Sequence, residues 1–332
     1  MLDKNTENDF QAVPQPTNFF ESWEIDEQFL NRVLSRVADI DVVALDIFDT
    51  ALTRSVDSPA DAFAEVERRL IREYGGPAIG FAAERENAER LARIHQLETC
   101  GAEEIRYQHI YAQLHVKNAQ LADMWTRAAE LELEVESSLV IAVPDILELT
   151  KRLLHLHKPF IFVSDMYLPA EFLARLLSRA GYSGWTHLYV SSETLATKAS
   201  GRQWKIVESR YADLHRILHI GDDELRDHLV PSKYQIRTEP FKRARSEQRV
   251  GAALDVHVLP FSYAQRDVVL RSRATAERPI DESERWRNMG RTLGGIVLAG
   301  FMRWLEQRVL RHQIGKLYFC ARDGWLLRRA WQ

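Results

Sequence analysis

The chain has 332 residues, 45% hydrophobic and 28% charged, with a net charge of −4. That length suffices for two domains and a sizeable core, and the charge gives no global electrostatic case for nucleic acid or an anionic membrane as partner. Two cysteines, Cys100 and Cys320, stand outside any CxxC or zinc spacing, which fits a reducing cytoplasm.

Residues 1–25 read as a loose polar leader, without the basic start and apolar centre of a signal peptide. Apolar positions at Phe29, Leu30, Val33, Leu34 and Val37 predict a helix over 26–38. The stretch VVALDIFDTALTR (42–54) begins as a buried strand, then places Asp46, Asp49 and Thr50 at its mouth. A carboxylate leaving an apolar strand is costly unless it is paired, hydrogen-bonded or on a metal.

Residues 58–138 carry only amphipathic-helix patterns, opened by Ser58-Pro59, and read as an all-helical insert. Helices then alternate with the strands PFIFVS (159–164), HLYVSS (187–192) and RILHIG (216–221). Such alternation argues an α/β fold, a parallel sheet with helices on both faces, whose core takes residues 26–57 and 139–240. Ligands of such sheets bind past the carboxyl ends of the strands.

Residues 241–284 read as a polar linker, with KRARSEQR (242–249) solvated. A long helix is expected over 284–313; its segment TLGGIVLAGFMRWL (292–305) is too short to span a bilayer and reads as buried. KLYFCARDG (316–324) predicts a strand, WLLRRAWQ opens a helix, and Asp323 reads as a turn residue. Residues 285–332 are thus expected to begin a second α/β domain. The chain is then a fragment of a longer protein, or this segment packs onto the first domain.

Four strand ends carry the informative residues. The first delivers Asp46, Asp49 and Thr50; the second Ser164 and Asp165; the third leads to Lys198; the fourth delivers Gly221, Asp222, Asp223 and Asp227. Singly, each is an ordinary turn, cap or solvated residue. Together they suit phosphoryl transfer. A carboxylate can attack phosphorus, magnesium held by further carboxylates neutralises the oxygens, and a hydroxyl and a lysine hold the rest.

The set DIFDT (46–50), VSD (163–165), Lys198 and GDDELRD (221–227) resembles the four motifs of the haloacid dehalogenase (HAD) superfamily of hydrolases. More narrowly, LDIFDTALTR, FVSDMYLP, SSETLATKASG and HIGDDELRD resemble a bacterial branch associated with glycosyltransferases and surface-polysaccharide synthesis. The resemblance covers about residues 40–240. It implies a Rossmann-like core with the insert 58–138 as a helical cap. It also implies Asp46 as nucleophile, with Thr50, Ser164, Asp165 and Lys198 on phosphate. Mg2+ would lie among Asp46, the Phe48 carbonyl, Asp222, Asp223 and Asp227, and the substrate would be a small phosphorylated metabolite such as a sugar phosphate.

One position departs from the pattern. Where phosphatases carry a second aspartate two residues after the nucleophile, this chain has Phe48. Asp49, one residue on, points to another side of the backbone and is not assigned the acid/base role by default. Three readings follow: a magnesium-dependent phosphatase or phosphotransferase; a dehalogenase, disfavoured because Asp222, Asp223 and Asp227 would repel without a cation; and a lapsed, non-catalytic module within a polysaccharide-synthesis protein. Tyr107, Tyr111 and Trp125 read as cap packing, and His155 and His157 as structural or solvated.

Overall fold

The computed structural model describes residues 25–54, 56, 59–211, 213–244, 286, 294–320 and 324–331. The expected leader lies outside the described residues up to position 24, and most of the expected linker and Asp323 lie outside them too. Its centre is a five-stranded sheet in the order β5-β4-β1-β6-β7, parallel throughout. The strands are β1 Val42–Leu45, β4 Phe160–Ser164, β5 Leu188–Val190, β6 Ile217–Gly221 and β7 Arg237–Pro240.

β1 is apolar along its whole length because both its edges and both its faces are covered. Ala44 pairs with Ile161 of β4 on one side and His219 of β6 on the other. Period-two alternation then sorts the side chains. Val43, Leu45, Phe160, Phe162, Leu218 and Ile220 join the larger apolar core, while Val42, Ala44, Ile161, Val163 and Ile217 pack with Trp204 and Val207 on the other face.

The chain runs β1, then β4 and β5 outward on one side, then β6 and β7 on the other. The reversal lies at β1, and such a switch point leaves a crevice outside the strand ends.

A second sheet, antiparallel, pairs β2 Leu52–Arg54 with β3 Val140–Ala142. Each has three residues, too few for periodicity to show, and the sequence reading missed them. Between them lie α2 Pro59–Tyr74, α3 Phe81–Cys100, α4 Tyr107–Lys117 and α5 Ala122–Leu139, with two 3-10 turns. The chain therefore leaves for the helical cap on β2 and returns beside it on β3.

The first helix, Glu27–Arg36, is capped by Asp26, whose carboxylate accepts the Phe29 N–H at 2.9 Å. HLYVSS pairs only to Val190, and Ser191 opens a short helix. Its hydroxyl accepts the Met166 N–H at 2.7 Å and donates to Glu104 at 2.9 Å, bonds that a continuing strand would not make.

The late apolar stretch forms the helix Gly295–Arg311, but it is not buried: Val297 is 71% exposed and Trp304 50%. Amphipathic patterning says which face can be buried, and burial also needs something packed against it. Residues 316–320, the described part of the expected strand 316–324, form no ladder among the described residues; a lone strand lacks the neighbour that stabilises it. No helix among the described residues is long and apolar enough to cross a membrane.

Candidate active site

Asp46 follows the last paired residue of β1, its N–H donating to Ile220 O at 2.9 Å. The residue is 7% exposed. Lys198 reaches it from the loop beyond β5, with Nζ 2.5 Å from Asp46 Oδ1 and 2.5 Å from Asp227 Oδ1. Asp46, Asp222 and Asp227 each offer a carboxylate oxygen, and these oxygens lie within 4.8 Å of one another. Residues 46, 198, 222 and 227, spread over the chain, thus meet at the switch point.

Three carboxylates around one ammonium leave the cluster short of positive charge. Burial pushes the Asp46 carboxyl well above the ordinary range, Lys198 opposing and Asp227 and Asp222 reinforcing the rise. Burial works against the Lys198 ammonium, yet Asp227, Asp46 and Asp165 together hold it charged, above the usual lysine range. Asp227 is buried as well, but Lys198 and His219 keep it ionised, below the usual carboxylate range. Burial and the neighbouring acids thus disfavour charge on Asp46, and a further cation near it would oppose that rise.

Gly221 explains how Asp227 fits. A Cβ there would stand 2.3 Å from the Asp227 carboxyl carbon, so the position has no room for a side chain. Asp227 folds back over this glycine from the π-helical turn Glu224–Leu229, where its Oδ2 accepts the Asp223 N–H at 3.0 Å.

The other expected residues divide. Thr50 is fully buried, and its hydroxyl has no hydrogen-bond partner among the described residues. An orphaned buried hydroxyl is costly and fits a ligand oxygen. Among the described residues, the Phe48 carbonyl accepts no backbone hydrogen bond in its turn. Ser164 ends β4 at 2% exposure.

Asp165, expected on phosphate, is instead engaged by the Lys198 loop. It accepts the N–H of Lys198 at 2.7 Å and of Ala199 at 3.4 Å. Asp223, expected at the metal, caps the following turn, accepting from the N–H of Leu225 at 3.0 Å and Arg226 at 2.8 Å.

Asp49 sits at φ 57°, in the left-handed region. Its carboxylate accepts from Thr53 Oγ1 at 3.1 Å and is absent from the acidic cluster. Phe48 fills the place two after Asp46; the Arg54 guanidinium lies over its ring at 4.0 Å and is fixed by Glu136 of α5 at 2.9 Å.

His219 was not anticipated. Fully buried in β6, it places Nε2 2.9 Å from Asp227 Oδ1 and Nδ1 3.2 Å from Ala44 O. The available signal was a polar residue inside an otherwise apolar strand. Of the other aromatics and histidines, Tyr107, Tyr111 and Trp125 are buried in the cap, and Tyr107 donates to Ala129 O at 2.7 Å.

No family model matches the chain, and no curated protein matches it. Solved structures do. A 2-haloacid dehalogenase from Pseudomonas syringae pv. tomato aligns with a TM-score of 0.46 and 14% identity, covering 67% of this chain and 92% of that one. A HAD hydrolase from Bacillus subtilis, bound to magnesium, gives 0.44 and 15%, covering 61% and 89%. A HAD family enzyme from Bacteroides thetaiotaomicron gives 0.42 and 14%, covering 66% and 98%. Identities and scores this low leave the site to be argued from its own residues.

Proposed function

We propose that the protein is a HAD-type hydrolase acting on a small phosphorylated metabolite, with Asp46 as the attacking carboxylate. The observation that carries this reading is the convergence of Asp46, Asp222 and Asp227, two of which, Asp46 and Asp227, are held by Lys198. The orphaned hydroxyl of Thr50, four residues after Asp46, supports it. The donor set is all hard oxygen, which suits Mg2+. Asp46, Asp222 and the Phe48 carbonyl would hold the ion, with Asp227 reserved for Lys198. When bound, it would neutralise charge on the phosphoryl oxygens.

The protein's own residues account for the transfer to Asp46; release then takes a water oxygen attacking phosphorus and displacing the Asp46 carboxylate as phosphate leaves, with no base at position 48. The free lone pairs of Asp46 attack phosphorus and form an aspartyl-phosphate as the leaving oxygen departs. Lys198 and Thr50 hold phosphoryl oxygens, and Lys198 shields Asp46 from the charge of its substrate. Phe48 can neither give nor take a proton, so the leaving group departs as an anion or finds its proton elsewhere.

Phe48 is also the one observation that favours a second reading, a binding module with the same pocket and no turnover, serving polysaccharide synthesis. Incubating the protein with Mg2+ and a panel of phosphorylated sugars and aryl or acyl phosphates separates the two. The enzyme reading expects turnover, a phosphate trapped on Asp46, and loss of both in Asp46→Asn, by at least about 10³-fold. Phosphate release that persists in a clean Asp46→Asn preparation would overturn it.

A further inference from the structure

Lys198 must hold two acids at 2.5 Å, yet its backbone lies between helices, on the loop from Leu195 to Gly201. What fixes that loop is a pair of carboxylates on opposite sides of it. From the core, Asp165 takes the Lys198 and Ala199 amides. From the cap, Glu103 takes the other contacts. Its Oε2 accepts from Thr197 N at 3.4 Å, Thr197 Oγ1 at 3.3 Å and Ser200 Oγ; its Oε1 accepts from Arg202 Nη1 at 3.1 Å.

Glu103 lies between α3 and α4, and the residues after it continue the same seam. Glu104 accepts from Ser191 Oγ at 2.9 Å, Arg106 Nε donates to Ser192 O at 3.2 Å, and Tyr107 N–H donates to Tyr167 O at 3.0 Å. All three partners are core residues just past β4 or β5. One cap segment thus spans the ends of both strands and closes on the Lys198 loop.

We propose that Glu103 is a positioning residue that ties the Lys198 loop to the cap, so that Lys198 is set against Asp46 only while the cap is docked. The tether rests on geometry alone; its consequence for turnover rests on the phosphoryl-transfer reading above. Coupling of this kind places the cation at full strength only when the cap covers the site and water is excluded.

The test compares wild type with Glu103→Ala, Glu103→Gln and Arg202→Ala. Three quantities are read: hydrogen exchange of the 195–201 amides, acetylation of Lys198 by limiting acetic anhydride, and kcat/KM on p-nitrophenyl phosphate with Mg2+. Glu103→Ala is expected to raise exchange and acetylation about tenfold and to lower kcat/KM at least as much, the scale of one charge-assisted hydrogen bond. Glu103→Gln keeps an acceptor for Thr197 and Ser200 and is expected to restore most of the protection. Arg202→Ala, which touches only the outer oxygen, should change exchange less than about threefold.

Should Glu103→Ala fail to fold, the pair Thr197→Val and Ser200→Ala removes the same bonds from the loop side and must give the same rise. Wild-type exchange and acetylation in these variants would overturn the tether. A rise in both, in a protein without phosphatase activity, would sustain the tether and remove the phosphoryl reading instead.

Discussion

The core and the cap both bury charge, and they do it differently. In the cap, Arg85 and Glu132 are each fully buried and meet in a two-pronged pair at 2.7 and 2.8 Å, with Tyr111 donating to the same carboxylate. One turn along α5, Glu136 holds Arg54. Glu132 and Glu136, the two acids buried on α5, thus each face an arginine. Past the strand ends, Asp46 and Asp227 share one lysine, with an Asp222 oxygen within 4.8 Å of theirs. Matched pairs satisfy their own fields, whereas a buried cluster with unbalanced charge is where the proposed cation and substrate would act.

The sharpest way to break this contrast is at Phe48. Without a proton donor there, alkyl phosphates should be turned over slowly and activated aryl or acyl phosphates much faster. Rate should therefore depend steeply on leaving-group pKa. Phe48→Asp should raise the alkyl rate about 10²–10⁴-fold if the role is vacant. A flat leaving-group series, with activity lost in Asp49→Asn, would assign the role to Asp49.

In the cap, Arg85→Leu leaves Glu132 buried and unpaired. It should destabilise the fold by about 3–5 kcal/mol in urea denaturation. Replacing both partners, Arg85→Leu with Glu132→Leu, should recover much of that loss. A double variant as unstable as the single one would mean that the pair does more than cancel its own charge.

Binding of Mg2+ should separate the two regions more gently. A cation that binds only the folded site adds about 2.7 kcal/mol at a hundred times its dissociation constant, read as a rise in melting temperature. Asp222→Asn should abolish the rise, and Arg85→Leu should keep it. Equal rises in wild type and Asp222→Asn would place the ion elsewhere.

The smallest effect expected is at the surface pair Arg175–Glu171, 2.9 Å apart with both side chains exposed. Arg175→Ala should cost no more than about 0.5 kcal/mol. A larger loss there would show that exposed pairs in this protein cannot serve as a baseline for the buried ones.

The parallel sheet and the residues just past its strands were legible because each strand announces itself within a few positions. An apolar run such as VVAL stops at an acid, and the run, the stop and the residues after it are local facts. Asp46, Lys198, Asp222 and Asp227 could be found that way. The uses of Asp165 and Asp223 could not. Both are acids past a strand, and only the fold shows one holding amides 33 residues away and the other capping its own turn. Glu103 left no trace, since an acid in GAEEIRY reads as solvated and its partners begin 94 residues later.

Chemical character was thus written in the sequence: which strands are buried, where they release carboxylates, and that position 48 cannot carry a proton. Those properties depend on residue type and on neighbours a few positions apart. Tertiary structure alone decided which charges share a partner, because Coulomb energy and hydrogen bonding depend on distance in space. The sheet order β5-β4-β1-β6-β7 brings Lys198 between Asp46 and Asp227, and the cap's return along β3 allows Glu103 to reach the loop that carries that lysine.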